Sequence, residues 1–257
     1  MIERIIEVVR AAGRIVLSAG DIERATAEKS PGNFVTKYDV AVQEYLKKEL
    51  LAIVPEAHFM GEEGTEQTES LRGLCFIVDP IDGTANFVRG LRCSAISVAL
   101  AQDGALIAGV VYQPYIDEIF YAEKGKGAFR DGQPIRVSDR AMRDGFYYFG
   151  TGSYYEGTEG RTFAIARTLF DRMLDLRRFG PAAYELCNIA CGRLELGFEV
   201  LLQPWDYAAA ACILAEAGGT VTQLDGTPIT LDCPCSILAG NPACHSEFFA
   251  YGMDKLQ

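Results

Sequence analysis

A chain of 257 residues, 49% of them apolar, is long enough to bury a substantial core as one large α/β domain or two modest ones. Its 24 basic and 35 acidic residues leave a net charge of −11, which argues against a nucleic-acid backbone or an anionic membrane as the main partner. A chain this acidic needs cations if it is to bind phosphate.

Ile2, Ile5, Ile6, Val9, Ala12, Val16 and Leu17 recur at helical spacing, which predicts an amphipathic N-terminal helix whose stripe belongs to the core. That start is not a charged segment followed by an apolar signal core, so the eight cysteines read as reduced cytoplasmic thiols. Cys233-Pro234-Cys235 and the helical pair Cys187 and Cys191 lack the paired spacing of a zinc site, so neither zinc nor a disulfide is expected. Residues 21–34 are polar and contain Ser30-Pro31-Gly32-Asn33, a loop signal. A second helix carrying Val40, Tyr45, Leu46, Leu50 and Ile53 ends before Pro55.

Residues 74–78 form a short apolar run of β-formers, a buried strand that Pro80 cannot continue because it has no amide hydrogen. Runs at 95–101, 106–112 and 118–122, with turn signals at Gly125-Lys126-Gly127 and Asp131-Gly132, predict an antiparallel sheet. Gln102-Asp103-Gly104 breaks the apolar stretch 94–112 into a hairpin, so no membrane span is expected. Gly125-Lys126-Gly127 lacks the spacing of a nucleotide phosphate loop and reads as a hairpin turn. From Tyr147 onward, strands alternate with helices at 162–173, 182–191 and 206–217. This adds an α/β layer and places a boundary near 139–144, between a portion 1–140 and a portion 141–257.

Asp79-Pro80-Ile81-Asp82-Gly83-Thr84 packs two carboxylates, a hydroxyl and a glycine into one turn at the end of a strand. Asp79 and Asp82 are close enough to share a cation, while Gly83 lets the backbone approach a ligand and opens a short helix whose free amides favour an anion. Glu62 and Glu63 follow His58-Phe59-Met60 at another strand exit, and Asp206 stands after Pro204-Trp205 in the position of a helix N-cap. A serine hydrolase is poorly supported, since there is no Gly-x-Ser-x-Gly elbow and only His58 and His245 could act as a histidine base.

Gly61-Glu62-Glu63, Asp79-Pro80-Ile81-Asp82-Gly83-Thr84-Ala85-Asn86-Phe87, and Trp205-Asp206 followed by Glu216-Ala217-Gly218-Gly219 occur in an order that resembles the inositol monophosphatase family. That family belongs to the magnesium-dependent, lithium-sensitive phosphatase superfamily, and the resemblance spans nearly the whole chain. It implies an α/β fold of the sugar-phosphatase type, an alternating αβαβα sandwich. It implies two or three Mg2+ per subunit, held by Glu62, Asp79, the Ile81 carbonyl, Asp82 and Asp206, with Glu63 adjacent. Oxygen-only ligands suit magnesium.

The same resemblance implies that Glu62, Thr84 and Asp39 are catalytic, the Thr84–Asp39 pair orienting or deprotonating the attacking water. Asp82, the Gly83 and Thr84 amides, Ala182, Glu199 and Asp206 would contact substrate, while Lys29 maps to a loop near the site and stays outside the catalytic set. The implied reaction is in-line hydrolysis of a phosphate monoester by a homodimeric enzyme, inositol 1-phosphate being the leading substrate. Alternatives are fructose 1,6-bisphosphate, a nucleotide 3',5'-bisphosphate or histidinol phosphate, with Arg172, Arg177 and Arg178 as a conceivable second basic cluster. A catalytically silent binding protein on the same fold is the alternative of a different class. Pro181, Leu91-Arg92-Cys93, Glu185 and Glu195 depart from the family pattern and are expected near the pocket walls.

Overall fold

The computed structural model describes residues 1–30, 33–63, 71–152 and 155–257; Pro31-Gly32 of the loop signal and Gly64 after the acidic pair lie outside them. Five layers alternate. The first holds helices α1 (Ile2–Leu17) and α2 (Lys37–Ile53), with a small hairpin, β1 (Thr26–Ser30) and β2 (Asn33–Thr36), between them in the chain. Ile5, Val9, Leu46 and Leu50 turn inward and bury against Phe76, Val78, Val98 and Val110.

Those last four residues belong to a seven-stranded sheet of β3 (His58–Gly61), β4 (Leu74–Asp82), β5 (Ala95–Gln102), β6 (Ala105–Gln113), β7 (Glu118–Glu123), β8 (Ala128–Arg130) and β9 (Gln133–Ile135). Sheet order follows chain order; β3 pairs parallel with β4 and every later pair is antiparallel. Its strands read as near-continuous apolar runs because both faces are covered. Alternate residues Cys75, Ile77, Ala99 and Val111 point the other way, into the middle layer. Between β4 and β5 lies α3 (Thr84–Val88).

The middle layer holds α5 (Ala182–Ala190) and α6 (Pro204–Glu216), sandwiched against a five-stranded sheet in the order β11-β10-β12-β14-β13. These strands are β10 (Phe146–Phe149), β11 (Asp175–Leu176), β12 (Leu196–Leu202), β13 (Thr220–Thr222) and β14 (Cys235–Gly240). The sheet is mixed, β10 pairing parallel with β11 and β12, and β14 antiparallel with β12 and β13. The outer layer is α4 (Glu159–Phe170) and α7 (Pro242–Ala250), which bury Ile165, Leu169 and Phe248 against Tyr147, Phe149, Phe198 and Leu238. Among the described residues, no helix is long and apolar enough to cross a membrane.

α6 is buried on nearly every side, from Tyr207 to Leu214, as a helix between two sheets must be. Its fit on the first sheet depends on Gly109 in β6, where a Cβ would stand 2.3 Å from the Ala209 carbonyl oxygen. The first sheet uses residues 58–135 and the second 146–240, yet the core between them draws on both.

Three expectations need correction. The polar segment 21–34 is not a loop throughout, because its residues pair as the β1–β2 hairpin, with Thr26 opposite Thr36. Nor does Pro80 end its strand: β4 runs to Asp82, its register shifting between Asp79, opposite Ser97, and Asp82, opposite Ala95. The irregularity takes up the missing amide hydrogen, as a bulge does. Asp206 is not the N-cap of its helix; Gln203 is, with Pro204 at the first position and Asp206 at the third, completing a capping box.

Candidate active site

β3 and β4 run side by side, and the Glu62 amide donates to the Val78 carbonyl at 3.2 Å, which sets Glu62 next to the start of the acidic turn. At that turn the Asp79 carboxylate accepts from the Ile81 amide at 3.0 Å. Gly83 then caps α3 with φ 83, a left-handed conformation, and a Cβ there would also meet the Pro181 ring at 2.8 Å. Both constraints call for glycine. Thr84 places its hydroxyl 3.0 Å from the Ile81 carbonyl and 3.3 Å from Asp39 Oδ1. Asp39 is fully buried at the third position of α2, where Oδ2 accepts from the Thr36 amide and hydroxyl at 2.7 and 2.6 Å.

The second half of the chain closes the site. Asp82 accepts from the Ala182 amide at 3.1 Å and the Ala183 amide at 2.7 Å, so its charge sits on the N-terminus of α5. Asp206 accepts from the Gln203 amide at 2.8 Å, and Glu199 reaches in from β12. A chamber of about 630 Å³ results, its walls including Glu62, Asp79, Ile81, Asp82, Gly83, Thr84, Ala182, Glu199 and Asp206.

Electrostatics of this chamber are unbalanced. Burial, then repulsion from Glu62, Asp82, Asp206 and Asp39, pushes Asp79 well above the usual carboxylate range. Burial and the nearby Asp206 do the same to Asp82, against the pull of its two amide donors. Asp206 is pushed up to about 7 by burial and by Glu62. Glu199 is raised well above its usual value by burial and by Asp206, Asp82 and Glu185, with Arg178 opposing. Carboxylates so arranged either take up protons or take up cations.

The sequence model of the inositol monophosphatase family matches residues 1–253. The chain belongs to the inositol monophosphatase family. It is similar to the inositol-1-monophosphatase of Bacillus subtilis, 33% identical over 94% of this chain and 92% of that one. Among solved structures it is similar to the extragenic suppressor protein suhB of Bartonella henselae, with TM-score 0.88 and 32% identity over 99% of this chain and 96% of that one. The inositol monophosphate bound form of the staphylococcal SaIMPase-II superposes with TM-score 0.82 and 30% identity over 97% and 92% of the two chains. The alternating αβαβα layering is the fold of these relatives, and family membership makes the chain a phosphoric monoester hydrolase.

The inositol monophosphatase family is generally metal-dependent, and the donor chemistry here fits a hard divalent ion: clustered carboxylates and the Ile81 carbonyl, with no sulfur or imidazole lining the chamber among the described residues. The carboxylates face one another without closing into a cage, since among the described residues no three acidic, histidine or cysteine side chains surround one point. The Lys29 ammonium stands 3.1 Å from Glu62 Oε1 and 2.6 Å from Glu63 Oε1.

Of the residues singled out from sequence, Asp39 and Glu63 do not line the chamber; Asp39 reaches it through Thr84, Glu63 through Lys29. Thr151, Tyr155, Gln203 and Trp205 line it and were not assigned a role there from the sequence alone, and Arg178, offered from the sequence with Arg172 and Arg177 as a second basic cluster, also lines it. Arg178 donates to the Thr151 hydroxyl at 3.1 Å. Arg172 and Arg177 are spent elsewhere, over the Tyr251 and Phe146 rings, and do not line the chamber. Pro181 does not itself line the chamber but packs against Gly83, which does, and so lies near the wall as expected. Glu195 does not stand at the wall: it is tied to Ser138, Arg140 and the Phe146 amide. Leu91, Arg92 and Cys93 also stay outside the lining.

Proposed function

We propose that the chain is a magnesium-dependent inositol-1-monophosphatase, the carrying observation being one chamber in which carboxylates from the residue after β3, from β4, from β12 and from α6 meet the start of α3. Glu62, Asp79, the Ile81 carbonyl, Asp82 and Asp206 would hold two or three ions. Bound magnesium supplies Lewis-acid polarisation and offsets negative charge on the phosphate and the departing oxygen.

The chain's own groups do the rest. The Gly83 and Thr84 amides cradle phosphate oxygens. Thr84 Oγ1 orients the attacking water and takes its proton as it passes its own to Asp39 Oδ1, which lies 3.3 Å away and is held in place by Thr36. The water oxygen forms the new bond to phosphorus in line with the ester oxygen, whose bond breaks and which leaves with a solvent proton. Glu199, the Ala182 region and Asp206 face the alcohol half of the substrate. Lithium sensitivity, a homodimer and a cytoplasmic location belong to the same reading.

Release of phosphate from a panel of inositol 1-phosphate, fructose 1,6-bisphosphate, a nucleotide 3',5'-bisphosphate and histidinol phosphate tests it. Inositol 1-phosphate should give the highest kcat/KM, and Glu199→Gln should raise its KM by roughly tenfold, the scale of one charged hydrogen bond, while lowering kcat less. A different preferred ester reassigns the substrate. Absence of release from every ester would instead support the competing reading, a catalytically silent binding protein on the same fold.

A further inference from the structure

The acidic pair at the chamber mouth and the lysine that bridges it are held very differently. Glu63 donates its amide to Gln43 Oε1 at 2.9 Å, and the Gln43 side-chain amide donates back to the Glu63 carbonyl, so the backbone of the pair is pinned to α2. Glu62 is fixed to β4 through Val78. Lys29 instead rides on β1, whose residues from Ala27 to Ser30 are exposed and whose ladder partner is β2. Its side chain is 30% exposed, while those of Glu62 and Glu63 are 19% and 7% exposed. A fixed pair of anions therefore faces a cation on an outer strand. Lys29 also lines the same chamber as Asp79 and Asp206.

We propose that Lys29 is the resident countercation of this chamber, and that a divalent ion binding at Glu62 must displace its ammonium. The inference rests on the metal-dependent reading above. One carboxylate oxygen cannot hold an ammonium and a doubly charged ion together without strong repulsion between the cations, and the doubly charged ion has the greater attraction. Lys29 keeps its proton throughout; it exchanges one ion pair for solvent, or for the phosphate that follows the metal. It thus sets how much free Mg2+ the site requires.

The test uses EDTA-stripped full-length chain and Mg2+ alone, titrated calorimetrically into wild type, Lys29→Met and Lys29→Arg. Lys29→Met should bind Mg2+ tighter by roughly fivefold, the equivalent of one partly exposed ion pair no longer broken, and Lys29→Arg should stay near wild type. Acetylation of wild type by an N-hydroxysuccinimide ester, read by mass spectrometry, should modify Lys29 several-fold faster with Mg2+ present, with Lys48 unchanged. Equal or weaker Mg2+ binding by Lys29→Met, or Lys29 acetylation indifferent to Mg2+, overturns the proposal. Absence of any binding heat in all three proteins, with Lys29 acetylation unmoved, sinks the metal-dependent reading and this inference with it.

Discussion

Asp79 and Asp82 differ in how much of each carboxylate the fold already uses. Asp79 spends one oxygen on the Ile81 amide, so Asp79→Asn can keep that bond and turn its new amide toward the chamber. We expect this variant to fold, to lose roughly 10³-fold in turnover, and to lose the rise in melting temperature on adding Mg2+. Both Asp82 oxygens accept amides, so Asp82→Asn sets donor against donor and should also cost about 1–3 kcal/mol in chemical denaturation. Glu185 gives a pH signature: burial raises it to about 7, against the Gly180 and Phe179 amides. Between the unfolded value near 4.5 and about 7, the folded chain holds a proton that the unfolded chain has released, so stability falls as pH rises through that window. With Mg2+ saturating, the melting temperature of Glu185→Gln should fall less from about pH 5 to about pH 8 than that of the parent; parallel curves would contradict the assignment. Among single residues, Asp79, Asp82 and Glu62 were legible because chemistry and spacing coincide in short motifs. Thr151, Tyr155 and the contact of Lys29 with Glu62 were not, since they arise only where segments distant in sequence meet.

Helices with a clear apolar stripe were legible as elements, α1 and α2 above all. The β1–β2 hairpin was not, because a two-stranded ribbon with polar residues on both faces has no hydrophobic period to betray it. The continuation of β4 through Pro80 was missed for a related reason: proline excludes a ladder bond locally, but a bulge lets the strand resume at Asp82. α6 shows how an element ties site to core, since the helix that carries Asp206 at its start packs its alanine-rich body on Gly109. Gly109→Ala should destabilise by about 1–3 kcal/mol in urea, the cost of forcing a methyl into packed backbone, and should weaken Mg2+ binding as α6 shifts. Unchanged stability would mean that α6 and β6 are less closely seated than the 2.3 Å approach indicates.

At the scale of the molecule, the two sheets and the shared middle layer explain why the chamber forms only in the complete fold: Asp79 comes from the first sheet and Glu62 from the residue that follows its strand β3, Glu199 from the second sheet, and Asp206 from the helix between them. An antiparallel run followed by alternating strands and helices anticipates a sheet and a second α/β layer, and the αβαβα order was implied by the family resemblance, whereas the mixed pairing of the second sheet depends on long-range register that no local pattern encodes. A net charge of −11 sharpens the functional argument, because such a chain repels an anionic ester unless cations intervene. The decisive measurement is phosphate release from inositol 1-phosphate by the EDTA-stripped chain before and after Mg2+ is restored. The account predicts no release above background without the ion and full turnover with it; undiminished release in the stripped protein would contradict it.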